Sequence, residues 1–439
     1  MKRDIYNKLV GWKNSDRRKP LILRGARQTG KTYILEKFGK NEYTNYIYIN
    51  FERKSKLTDI LKGDLTTEEI IENISIFTGK KVMPEKTLIF FDEIQLAPRV
   101  LRSLKYFNED CNEYHIVSAG SLLGLILSRD KEISFPVGKI NFLDMYPLSF
   151  KEFVLALGEE RFLSVIPDNF DEIKPLKSIF HDKLIDLLKL YFFVGGMPDV
   201  VADYIKHKNF KRVRVIQKEI INTNLNDFSK HATKSETMKI RQIWNSIPLH
   251  LGNENKVFIF SAIKNSARGK DYEIAMQWLL DAGLIIQVKN ISRPLLPLMA
   301  YTDLHFKIYV LDVGLLGAMT NLNQKSLVVK TELFSHFKGA LVENFVIREI
   351  SRSTVPYYWS NKGKAEIDLV MEHEDRIYPI EIKSSINLKA KSLGIYNETF
   401  SPKLLLRSST ANFNKGDNII DIPLYALNSI VTDEEMEFV

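Results

Sequence analysis

The chain has 439 residues, 45% of them apolar and 26% charged, with a formal net charge of +8. It can therefore bury more than one core, and two or three domains are expected, with a surface that leans toward polyanionic partners. One cysteine, Cys111, excludes an internal disulfide and a cysteine-built zinc centre, and no apolar run approaches the ~20 residues of a membrane span.

The N-terminal stretch MKRDIYNKLVGWKNSDRRKP is too charged for a secretory leader, so the cytoplasm is the expected compartment. From Pro20 to about Glu152, short apolar runs at Leu21–Leu23, Tyr46–Phe51, Thr87–Phe91 and Tyr114–Val117 alternate with helical stretches. That alternation predicts a parallel sheet with crossover helices, an α/β unit over residues 1–152. Residues 153–323 carry apolar side chains at three- and four-residue spacing, which predicts a mainly helical middle interrupted by a turn at Gly195-Gly196-Met197-Pro198. Residues 324–439 hold a helix around Ala340–Ser351 and then strand-like runs, which predicts a smaller α/β domain.

After the strand LIL comes Gly25-Ala26-Arg27-Gln28-Thr29-Gly30-Lys31-Thr32, then Tyr33 and a helix-compatible run. This is a P-loop in its strand–loop–helix context. Its backbone amides and the helix N-terminus suit phosphates, Lys31 suits the terminal phosphates, and the Thr32 hydroxyl suits Mg2+. The run Thr87–Phe91 ends in Asp92-Glu93, as a doubly buried strand carrying a Walker B pair would. Asp92 is expected to orient the Mg2+ shell and Glu93 to polarise the attacking water of ATP hydrolysis. A third strand ends in Ser118-Ala119-Gly120-Ser121, and either serine could sense the γ-phosphate or simply close a turn.

These motifs, together with YPLSFKEF, FVGGMPDVV, KIYVLDVGLL, GALVENFV, AEIDLV and PIEIKSS, resemble a prokaryotic family. That family is the AAA-type ATPases with an archaeal-type core and a C-terminal region of uncharacterised function. The resemblance covers nearly the whole chain and implies a winged helix in the segment 256–292. Members carry a Gly-Arg pair before the YPLSFKEF segment, whereas this chain has Gly138-Lys139; lysine does not reproduce the bidentate geometry of an arginine finger. AAA sites often lie between subunits, so a homo-oligomer is compatible with the pattern. Lys264, Arg268 and Lys270 cluster at a turn where they could meet phosphates or simply face solvent, while Tyr272, Met276 and Leu279 form a core face.

In the last domain, period-two alternation places Glu366 and Asp368 on one face of a strand, and Glu381 and Lys383 on one face of the next. Asp368 followed by Glu381-Ile382-Lys383 resembles the D...E-x-K signature of the restriction-endonuclease-like fold. In that fold the acids hold Mg2+ and the lysine helps place the hydrolytic water. Glu343, near the apolar face of its helix, matches the helix acid of many such nucleases. Two readings stand: an ATPase acting on nucleic acid, DNA ahead of RNA, with a metal-dependent nuclease site; or a nucleotide-dependent switch or scaffold with an inactive nuclease-like domain acting on a protein.

Overall fold

The computed structural model describes all residues except 54–65, 121–135, 137, 323–331, 362, 386–390, 417 and 432–439. The chain divides into two compact units, Lys2–Tyr146 and Pro147–Leu280 with Leu284–Glu435.

The first unit is built on five parallel strands: β1 (Leu21–Arg24), β2 (Asn45–Asn50), β3 (Thr87–Asp92), β4 (His115–Ala119) and β5 (Asn141–Asp144). Their order is β2-β3-β4-β1-β5, so β4 is inserted between the strand preceding the P-loop and the strand ending in Asp92. Every residue of β3 is buried because both faces of the sheet are covered. Ile22, Ile47, Ile89 and Phe91 pack on one side with the helices Thr67–Thr78 and Pro98–Asp110. Leu21, Leu23, Leu88 and Phe90 pack on the other with Ile34, Leu35 and Phe38 of the helix Lys31–Glu42. The uninterrupted apolar run in the sequence is the signature of that two-sided burial. Parallel strands align their C-terminal ends, which places the P-loop after β1 beside Asp92-Glu93 after β3.

The second unit begins with helices and ends in an eight-stranded sheet. Its strands are β6 (Ile285–Ile291), β7 (Thr302–Val310), β8 (Tyr357–Ser360), β9 (Glu366–His373), β10 (Arg376–Ile382), β11 (Leu405–Ser409), β12 (Asn414–Lys415) and β13 (Ile419–Pro423). The order is β12-β13-β11-β10-β9-β8-β6-β7. β6 and β7, from the stretch read as winged helix, thus share a sheet with β8–β13. β9 and β10 pair antiparallel across Glu374-Asp375, both with positive φ (47° and 57°), the backbone that a two-residue hairpin loop requires. β10 and β11 run parallel. Tyr357, Tyr358 and Trp359 are buried, so these rings are not presented to bases.

Three sequence motifs meet inside the second unit. Ser149 caps the helix Phe150–Ala156 through a reciprocal box with Glu152. Leu148 and Gly196 bond backbone to backbone (2.6 Å), and the buried Asp312 accepts from Gly196 N (2.6 Å) and from Leu315 N at its own helix start (3.0 Å). A β-carbon on Gly196 would lie 2.1 Å from the Leu148 carbonyl oxygen, which is why only glycine fits there.

Candidate functional site

The P-loop wraps around its own lysine. Gly25 has φ 137° and would place a β-carbon 2.1 Å from Met145 O, and Gly30 caps the following helix with φ 96°. Gln28 is also left-handed (φ 63°). The Thr29 hydroxyl donates to Ala26 O (2.8 Å), and Arg3 donates to Thr29 O (3.2 Å), tying the loop to the N-terminal helix. Lys31 Nζ donates to Gly25 O (2.8 Å) and Ala26 O (2.9 Å). Burial lowers its pKa to about 8 against the opposing pull of Glu93 and Asp92, with Arg27 adding to the depression. Anionic phosphate is the partner this desolvated ammonium lacks. Tyr33, two residues into the helix, is exposed.

Asp92 is buried and held from several sides. Its Oδ2 accepts from Tyr48 Oη (2.8 Å), Asn50 Nδ2 (3.2 Å) and Thr32 Oγ1 (3.3 Å), and its Oδ1 accepts from Glu93 N (3.2 Å). Thr32 and Asp92 thereby converge as a hydroxyl and a carboxylate at one corner, a donor set that suits a hard cation such as Mg2+. Glu93 follows in a left-handed backbone (φ 54°), uncommon for a side chain of its size. Its carboxylate accepts from Gln95 Nε2 (2.5 Å), and Gln95 is itself buried. Tyr48, Asn50, Gln95 and Arg3 were not singled out by the sequence; the polar ends of the NYIYIN and FFDEIQ runs were the available signal. Ser118 is fully buried within β4, and Ser121 lies outside the described residues. Lys139 pairs with Glu109 (2.8 Å).

Residues 17–154 match the family model of an AAA domain. The first unit is an AAA-type ATPase domain. Downstream of this AAA domain, residues 185–326 and 338–427 match two domains of unknown function, DUF8612 and DUF4143. No curated protein matches the chain. Among solved structures, the Walker-type ATPase PABY2304 of Pyrococcus abyssi is similar at 16% identity over 72% of this chain and 95% of that one, with a TM-score of 0.45. The RuvB Holliday junction branch migration motor of Thermotoga maritima is similar at 15% identity over 65% and 89%, TM-score 0.29. The Orc1 protein of Aeropyrum pernix, solved in complex with DNA, is similar at 12% identity over 74% and 92%, TM-score 0.27. The AAA assignment rests on the family match and the site geometry rather than on these likenesses. No helix among the described residues is long and apolar enough to cross a membrane.

The acids of the second unit fall into two groups. Glu381 is buried, pairs with Lys383 (2.5 Å) and accepts from Leu393 N (3.3 Å). Asp368 accepts from Ile382 N (2.8 Å) and faces Glu343, Glu366, Lys256 and Lys307. Glu343 is bound by Lys256 Nζ and by Tyr309 Oη (3.2 Å). Glu366 is bound by Lys307 Nζ (2.5 Å), which also lies 4.6 Å from the Tyr358 ring centre. Burial, with help from Glu343, raises the Asp368 pKa to about 7 against the pull of the two lysines. Among the described residues, no three His, Cys, Asp or Glu side chains are grouped so as to hold a metal ion. Glu343, Asp368 and Glu381 therefore do not fit Mg2+ as they stand, because ammonium and amide donors already take their oxygens. Lys256 and Lys307 were not anticipated from the sequence, although a lysine inside the apolar run FKIYV was a visible anomaly.

Proposed function

We propose that the chain is an ATP-hydrolysing AAA-type protein that works on nucleic acid, DNA ahead of RNA, through its second unit. The ATP half is carried by the convergence of Thr32 and Asp92 within 3.3 Å beside Glu93. As phosphates enter, Lys31 exchanges the carbonyls of Gly25 and Ala26 for phosphate oxygens, and the amides of the loop face the β-phosphate. Mg2+ at Thr32 and Asp92 would supply charge neutralisation. Glu93, fixed by Gln95, accepts the proton of the attacking water. Lys31→Ala is expected to abolish nucleotide binding, and Glu93→Gln to keep binding while losing turnover. Undiminished turnover by Glu93→Gln would sink the assignment of the base.

The nucleic-acid half is supported by the helix Gly269–Asp281 followed by the β6–β7 hairpin, an order that fits a winged helix. Lys264, Arg268 and Lys270 are exposed just before that helix. Reversing these three charges should weaken DNA retention and flatten its salt dependence. In the last part of the chain, the helix Glu332–Ile350, β8, β9, β10, the helix Lys391–Phe400 and β11 follow the α-β-β-β-α-β order of a restriction-endonuclease-like core. With its acids bound by lysines, this region grips rather than cuts, and no cleavage step is assigned to it.

A second reading, a nucleotide-dependent switch acting on a protein partner, is favoured by one observation. Leu295, Leu296, Met299 and Leu304, in and beside the β6–β7 connection, are exposed and apolar where a DNA-contacting wing would be polar. Retention of DNA that survives the triple charge reversal at every salt concentration would leave that reading in place.

A further inference from the structure

The second unit holds five charged side chains in one cluster away from the ATP site. Glu343 comes from the helix Glu332–Ile350, Glu366 and Asp368 from β9, Lys307 from β7, and Lys256 from the connection after the helix Lys234–Gly252. Lys307 is fully buried, and Tyr309, also fully buried, closes the cluster from β7. Glu381 and Lys383 pair with each other on the neighbouring strand β10. Such burial is tolerated only because opposite charges meet.

The two lysines are held differently. Lys307 is fixed by β7, which is hydrogen-bonded along its length to β6. Lys256 follows the exposed residues 252–255 and has a left-handed backbone (φ 51°), and its side chain is 16% exposed. A non-glycine residue persists in that conformation where its surroundings hold it there, and the grip here is the Lys256–Glu343 ion pair. One cation is thus built into the sheet and the other is inserted from a loop.

Counting charge gives the arrangement its meaning. Two ammonium groups face three carboxylates, so the cluster balances when Asp368 carries a proton. A divalent ion in place of Lys256 would contribute one charge more, and the cluster would then balance with Asp368 ionised. We propose that Lys256 is a displaceable internal counter-ion that fills the position a divalent metal would take, so that the cluster is closed to metal while Lys256 is inserted and opens when it leaves. The inference deepens the reading of the C-terminal region and rests on its nuclease-like constellation of acids. It requires no cleavage.

The test is Mn2+ uptake by the full chain without nucleotide, followed by the loss of the free Mn2+ paramagnetic resonance signal. Wild type, Asp368→Asn, Lys256→Met and the double variant Lys256→Met/Asp368→Asn are compared, with folding checked by circular dichroism. Wild type should take up no more Mn2+ than Asp368→Asn. Lys256→Met should take up about one further equivalent, release protons as it does so, and lose the gain in the double variant. Uptake by wild type that Asp368→Asn abolishes would overturn the proposal, because the lysine would then be no bar. A folded Lys256→Met that takes up no extra Mn2+ would overturn it equally. If Lys256→Met does not fold, the wild-type and Asp368→Asn pair still decides, and Lys256→Arg, which keeps the charge, should match wild type. Absent DNA retention would defeat the nucleic-acid reading without touching these results.

Discussion

At the scale of single residues, two buried ionisable groups make the protein sensitive to pH in opposite directions. Asp368 has its pKa raised to about 7 in the folded chain, above its unfolded value. Between the unfolded value and about 7 the folded state holds more protons, so its contribution to stability is lost as pH rises through that window. Asp368→Asn removes the penalty while keeping an oxygen for Ile382 N. Its thermal unfolding midpoint should exceed that of wild type above pH 7, with the advantage shrinking as pH falls toward 4. Lys31 is displaced the other way, to about 8, by burial. Its protonated form is the one that meets phosphate. Affinity for ATP should therefore fall as pH rises above 8, approaching tenfold per unit, and calorimetry at pH 9 should show proton uptake that is absent at pH 7.

At the scale of elements, turns fix where the strands and helices lead. The P-loop strand, its glycines and the capping of the next helix follow from consecutive residues, which is why the nucleotide loop was legible from Gly25 to Thr32. The hairpin at Glu374-Asp375 was legible for the same reason. The joint between Leu148, Gly196 and Asp312 joins residues far apart in the chain, and the sequence disclosed only that Gly195-Gly196 makes a turn. A β-carbon at Gly196 meets two backbone atoms of Leu148 within 2.8 Å, so the neighbour cannot swing aside. Gly196→Ala should destabilise the second unit by about 3 kcal/mol or more in chemical denaturation, at the upper end of overpacking costs. A loss below ~1 kcal/mol would mean that the loop relaxes.

At the scale of the whole molecule, two compact units with separate cores should unfold in two transitions. Nucleotide bound by the AAA domain stabilises only the unit that binds it. ATP at about 100 times its dissociation constant should add ~2.7 kcal/mol to that unit. Differential scanning calorimetry is expected to show one transition that climbs with ATP and one that stays; a single transition that climbs as a block would mean one cooperative body.

The sequence by itself determined the nucleotide loop, the Asp92-Glu93 strand end and the parallel sheet beneath them. Each is a run of neighbouring residues whose chemistry and periodicity are local. It also placed Glu366, Asp368, Glu381 and Lys383 on strand faces, because alternation along a strand is local too. What bonds to those acids was decided only by the tertiary structure. Lys256 reaches Glu343 across 87 residues and Lys307 reaches Glu366 across 59, and Tyr48 reaches Asp92 across 44. Pairing of that kind depends on which strands lie side by side and which loop carries a charge into them, and no spacing along the chain records it.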